Sequence, residues 1–191
     1  MPSVFDVLGR DHQEVKQMLA ELETGPTAAT GADENSLTLR KRMVEQLVIE
    51  ESKHEAVEEM YFWPAVKDRV ADGERLAQPA LDQEQEGKEV LNRLDKLNPD
   101  EPEFEQLVAS FIAAGREHIS YEETSVWPAL RTQLSEDEAN ELGDKIESAK
   151  KTAPTRPHPN TPPKPGVLKG AGPAVAAADR MRDAATGRGG E

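Results

Sequence analysis

Apolar positions recur with helical spacing along most of the first 150 residues. Val15, Met18, Leu19 and Leu22 form a stripe of period 3.6 that stops at Gly25-Pro26, and Ser3 with Asp6 can cap its start. A loop rich in Thr, Ala and Gly follows. Asn35 or Ser36 is placed to cap a long second helix through Leu39, Met43, Leu47 and Val48, which Pro64 ends or kinks before a turn at Asp72-Gly73. A third helix is predicted from about Pro79 to Leu97, stopped by Asn98-Pro99. Pro102 opens a fourth that runs to Pro128. Ser135 and Glu138 form a capping box for a more polar fifth helix ending near Lys150. No stretch alternates with period two for long enough to make a strand. Four helices with short links predict an all-α, up-down-up-down four-helix bundle with a short extra C-terminal helix.

The polar positions on these helices carry the stronger signal. His54–Val66, HEAVEEMYFWPAV, and His118–Leu130, HISYEETSVWPAL, repeat His-x-x-x-Glu-Glu and then Trp-Pro-Ala at an offset of 64 residues. His and Glu four apart stack on one helix face. A weaker repeat at offset 72 aligns Asp11–Leu22 with Gln83–Leu94, so that Glu14, Lys16, Leu19 and Leu22 recur as Glu86, Lys88, Leu91 and Leu94. The first helical hairpin is therefore copied as the second, and His12 falls opposite Glu84.

Composition narrows the chemistry. There is no Cys among the 191 residues, which excludes disulfides, thiolate metal sites and a cysteine nucleophile. A net charge of −14 argues against a nucleic-acid partner. No apolar run approaches the roughly 20 residues that cross a bilayer. The start, MPSVFDVLGRDH, lacks the basic-then-apolar pattern of a secretory signal. A cytoplasmic protein without a membrane partner, monomeric or weakly oligomeric, is expected. Composition changes at Lys151: residues 152–191 hold seven of the 14 prolines and no aromatic residue. A flexible Pro/Gly/Ala-rich tail is expected after a body spanning 1–151. With six Lys/Arg against three Asp/Glu the tail is basic, which leaves open that it folds back on the acidic body.

The repeats mark His12, His54, Glu58, Glu84, His118 and Glu122 on faces that otherwise carry core residues. Burying ionisable groups there costs several kcal/mol each, a cost that two cations would offset. Three imidazoles and three carboxylates suit iron first and manganese second. Glu58 and Glu122, the acids of the repeated motif, are the natural bridging pair. Glu59 and Glu123 lie about 100° further round, facing solvent or bonded to a ligand His. Glu55 is adjacent to His54 and could reach a metal, but its twin is Ile119, which argues against that role. Tyr61, three residues after Glu58 and seven after His54, is placed on their face; it either serves the chemistry as ligand or hydrogen-bond donor, or closes the pocket. Trp63 and Trp127 read as core closure, and His158 carries no expected role.

His…His-x-x-x-Glu…His-x-x-x-Glu, with a proline after each motif, resembles the hemerythrin-like (HHE cation-binding) family over about residues 1–150. The resemblance implies a four-helix bundle around an oxo- or hydroxo-bridged di-iron centre that meets O₂, hydrogen peroxide or nitric oxide. Two departures stand out. The third helix offers Glu84 (or Gln85) where the family places a His, and the fourth helix carries His-x-x-x-Glu in place of His-x₄-Asp. Such an oxygen-rich set favours ferric iron over reversible O₂ carriage. The expected function is a catalase-like or peroxidase-like reaction in oxidative stress, or turnover of nitric oxide. The alternative is a non-catalytic iron or oxygen sensor, carrier or store.

Overall fold

The computed structural model describes residues 2–161 and 165–189. Among these residues all regular structure is helical. Helix α1 spans Val4–Thr24, with Ser3 and Asp6 forming the reciprocal cap. Helix α2 spans Glu34–Val57 and is capped by Asp33, whose carboxylate accepts from the Ser36 N–H at 2.8 Å. The cap thus lies two or three residues earlier than the sequence suggested, because Asp33 already leaves the loop in extended conformation. Helices α3 (Trp63–Arg69), α4 (Gly73–Leu94), α5 (Pro102–Tyr121), α6 (Trp127–Arg131), α7 (Glu136–Lys150) and α8 (Pro165–Thr186) complete the set.

Neither motif proline ends its helix. A five-residue π-turn joins α2 to α3 at Glu58–Phe62, and a second joins α5 to α6 at Glu122–Val126. The Trp63 and Trp127 N–H groups bond to the carbonyls of Glu58 and Glu122, five residues back. The widened turn gives the following proline ring room and absorbs its missing N–H. Both π-turns begin on the motif glutamate.

Helix α4 starts at Gly73, six residues before the expected Pro79, which is accommodated inside the helix. Gly73 is required by close approach: a Cβ there would lie 2.2 Å from the Val66 carbonyl oxygen. Buried Ala77 and Ala80 hold this early part of α4 in the core.

Helices α1, α2, α4 and α5 pack as a ring, each touching its two neighbours, with α7 against α1 and α2. Gly143 on α7 lets the start of α1 come close, since a Cβ would stand 2.4 Å from the Pro2 carbonyl oxygen. The interior is two apolar layers. One gathers Phe5, Leu8, Val57, Phe62, Trp63, Val126 and Leu130; the other gathers Val15, Leu19, Leu47, Leu91, Phe104 and Phe111. His12 lies between Leu8 and Val15, and Glu84 between Ala80 and Leu91, so the polar residues occupy the level separating the layers.

The stretch beyond 151 corrects the expectation of a flexible tail over its described part; residues 162–164, 190 and 191 lie outside the described residues. Helix α8 contacts the first π-turn and buries Leu168 and Ala176. Arg156 and Arg188 each bridge Asp95 at the end of α4 to Asp183 of α8, over 2.8–3.1 Å. Thr155 and His158 add bonds to Asp183 and Asp179. Low apolar content hid this docking, because ion pairs between residues far apart in sequence hold it.

Candidate metal centre

Four helices and the two π-turns that continue α2 and α5 bring six side chains together. Donor atoms of His12, His54, Glu58 and Glu122 lie within 4.8 Å of one another, and so do those of Glu58, Glu84, His118 and Glu122. The two sets share Glu58 and Glu122, the residues that open the π-turns. Each imidazole points Nε2 inward: His12 and His118 to Glu122 at 3.2 and 3.3 Å, and His54 to Glu58 at 3.3 Å.

The donors fit a cation pair. Eight buried atoms of these six residues have no hydrogen-bond partner: Nε2 of the three histidines, both oxygens of Glu58 and Glu122, and Oε2 of Glu84. At about 1–3 kcal/mol per unsatisfied group the cost would reach roughly 10–20 kcal/mol, comparable with the whole stability of a domain. The outer ring nitrogens explain why no internal bond relieves it. His12 Nδ1 donates to Glu123 at 3.0 Å, His54 Nδ1 to Asp11 at 3.2 Å, and His118 Nδ1 to Gln83 at 3.2 Å. With the proton held on Nδ1, each Nε2 offers a lone pair to carboxylate oxygens.

Protons are the competing counter-charge. Burial, reinforced by Glu122 and Glu84, raises the Glu58 carboxyl well above its usual range. Burial also pushes Glu84 up to about 8 against the lowering pull of Lys88 and His118. Burial would depress His118, but Glu122 outweighs it and lifts the imidazole to about 9. Burial opposes the Glu122 charge in turn, yet His118 and His12 hold that carboxyl well below the usual range. Divalent cations would displace these protons.

The surrounding residues repeat with the ligands. Asp11, just before His12, holds His54; Gln83, just before Glu84, holds His118. Lys16 pairs with Glu123, and its twin Lys88 with Glu59, the twin of Glu123. Trp127 stacks on His12 at 4.9 Å, while Trp63 donates its indole N–H to Glu84. Each tryptophan therefore packs on the candidate ligand supplied by the opposite hairpin, a role beyond the core closure read from sequence.

All six sequence-marked donors are brought together. Tyr61 is not part of the gathering: its half-buried ring lies beneath Lys169 Nζ of α8 at 4.3 Å and lines a surface cavity with Asp144 and Lys145. The π-turn is the reason. Residue 61 lies inside it, so the 3.6-residue spacing that put Tyr61 on the Glu58 face no longer applies. Glu123 bonds to a ligand His, whereas Glu59 is buried against Lys88. Sequence reading assigned no role to Asp11, Gln83, Lys88 or the buried Glu51, and set aside Glu55, which is also buried. The offset-72 repeat contained the signal for the first three, since it aligns 11 with 83 and 16 with 88.

Fold and site together define a helical bundle built to bind cations at its centre. The model of the hemerythrin HHE cation-binding domain matches residues 3–130. The chain belongs to that family and is a metal-binding, hemerythrin-like protein. An uncharacterised hemerythrin-like protein of Schizosaccharomyces pombe is 25% identical over 184 residues, 96% of this chain and 86% of that one. A DNA nickase of Nostoc is 23% identical over 148 residues, 78% of this chain but 39% of the nickase. The crystal structure of a hemerythrin HHE cation-binding domain-containing protein from Mycobacterium kansasii superposes with a TM-score of 0.64, covering 94% of this chain and 99% of that one at 21% identity. Among the described residues no helix is long and apolar enough to cross a membrane.

Proposed function

We propose that the centre holds two iron ions and that the protein consumes small oxidants, hydrogen peroxide first, in a catalase-like reaction. The observation that carries this reading is the pair of donor sets sharing Glu58 and Glu122, with eight inward atoms lacking any other partner. His12 and His54 would hold one ion, Glu84 and His118 the other, and the two shared glutamates both. Bound there, iron would supply the redox chemistry that such oxidants need.

The chain's own residues supply the rest. Asp11, Gln83 and Glu123 fix each ring by its Nδ1, so that Nε2 is the only donor presented. Trp127 and Trp63 fix His12 and Glu84 from outside. The apolar layers above and below exclude bulk water, which strengthens every charge interaction at the centre. Oxygen-rich ligation around Glu84 favours the ferric state, which suits peroxide turnover better than O₂ carriage.

The test is metal content and optical spectrum of chain purified without chelator, followed by peroxide addition. Two irons per chain, near-ultraviolet charge-transfer absorption and O₂ release that disappears in His54→Ala are expected. A loaded protein inert to peroxide that binds O₂ reversibly would identify a carrier or sensor instead. Chain that takes up no iron would refute the reading.

A further inference from the structure

A cavity of about 50 Å³ lies between α2, α4 and the C-terminal segment. Ser52, Glu55, Glu59 and Lys88 form its floor; His158 and Leu168 belong to its roof. Glu55 is 4% exposed and Ser52 5%, and Glu55 Oε2 and Ser52 Oγ have no hydrogen-bond partner. Lys88 Nζ bonds to Glu59 and stands 4.0 Å from Glu55 Oε2. The floor adjoins the metal centre, because Glu59 follows Glu58 and Lys88 lies one turn beyond Glu84 on α4.

The duplicated hairpin provides an internal control. The twin of Glu55 is Ile119, buried in the apolar layer, and the twin of Ser52 is Arg116, exposed and paired with Glu23. An apolar residue therefore satisfies the packing at this position. An acid buried there without a full partner costs several kcal/mol. The bundle bears that cost only in the half that faces the cavity.

Resting on the reading that the centre binds metal, we propose that this cavity is the entry site for the incoming ion. Glu55, with Ser52 and Glu59, takes a partly hydrated divalent cation and passes it to Glu84 and Glu58. The donors are hard oxygens, the class that first-row cations such as Fe²⁺ and Mn²⁺ accept while keeping some water. The volume exceeds the roughly 10–15 Å³ that a single water needs, leaving room for a cation that keeps part of its shell. Two carboxylates, Glu55 and Glu59, line the cavity with Lys88 and with Arg156, whose guanidinium is already paired to Asp95 and Asp183, so a cation gains on entry when Lys88 turns aside.

Metal-free full-length chain mixed with Co²⁺, followed by the visible absorption of bound cobalt and by final metal analysis, tests this. Wild type fills with two ions. Glu55→Gln and Glu55→Ile, the residue of the twin position, reach the same two at least tenfold more slowly. Lys88→Gln, which removes the competing cation, fills faster. Equal uptake rates in wild type and both Glu55 variants would overturn the entry site and leave the metal centre standing. An ion missing at equilibrium from the Glu55 variants would make Glu55 a ligand and also overturn it. Wild type that takes up no cobalt would sink the metal reading and this inference with it.

Discussion

The two hairpins of this bundle are copies that have parted at a few positions. The first supplies His12, His54 and Glu58, the second Glu84, His118 and Glu122. Motif ligands, π-turns, tryptophans and the lysine–glutamate pairs recur in both. What differs is one candidate ligand: imidazole at 12, carboxylate at 84. Glu123 accepts from His12 as well as from Lys16, whereas Glu84 has no ring N–H to offer and Glu59 bonds to Lys88. The result is one donor set with two imidazoles and another with one, richer in oxygen and next to the cavity under α8.

The largest effect should come from the residues the halves share. Glu58→Ala and Glu122→Ala are expected to lose both ions, whereas His54→Ala or His118→Ala loses one; metal analysis separates the two, and equal losses would break the shared-carboxylate assignment. Glu84→His should make the second set match the first, retaining two ions with shifted charge-transfer absorption, while Glu84→Ala drops to one. Asp11→Ala should weaken metal binding about 10–100-fold through His54, and Gln83→Ala by less through His118, because an amide oxygen raises ring basicity less than a carboxylate does. Competition with a chromophoric chelator measures both.

Removing metal tests the centre as a whole. Chelator-treated protein should melt about 5–10 °C below the loaded form by calorimetry, from roughly 3 kcal/mol of linkage at 100-fold excess over Kd. The smallest effect concerns α8. Burial works against the Asp183 charge, but the Thr155 hydroxyl and the Arg188 and Arg156 guanidinium groups outweigh it and lower its pKa below 3.8. A lowered acid contributes above the unfolded value and loses that contribution as pH falls through the folded one. Hydrogen exchange should therefore show α8 protected near pH 6 and progressively released as pH falls below 3.8, with α1 and α2 still protected.

Much of the fold was legible because helical period, caps and prolines act locally. Ser3-Asp6, Ser135-Glu138 and Pro102 mark three helix starts where the structure has them. Pro64 reads as an end or a kink and Pro128 as an end, and neither reading locates the π-turn. A proline reads as a break, and only the widened turn before it shows how the helix continues. That same turn displaced Tyr61, since face assignments by 3.6-residue spacing fail across a π-turn. Docking of α8 was illegible because its binding residues, Arg156, Arg188 and Asp95, are single charges whose pairing depends on distant backbone.

By itself the sequence determined which side chains recur, and so the six donors, the duplicated hairpin and the all-helical class, because covalent spacing on a helix dictates the shared face. Tertiary structure alone decided which oxygen or nitrogen each donor presents, which acid fixes each ring, and where Glu55 lies relative to the C-terminal helix. Those outcomes depend on contacts between elements that folding brings together, and spacing along one helix carries no record of them.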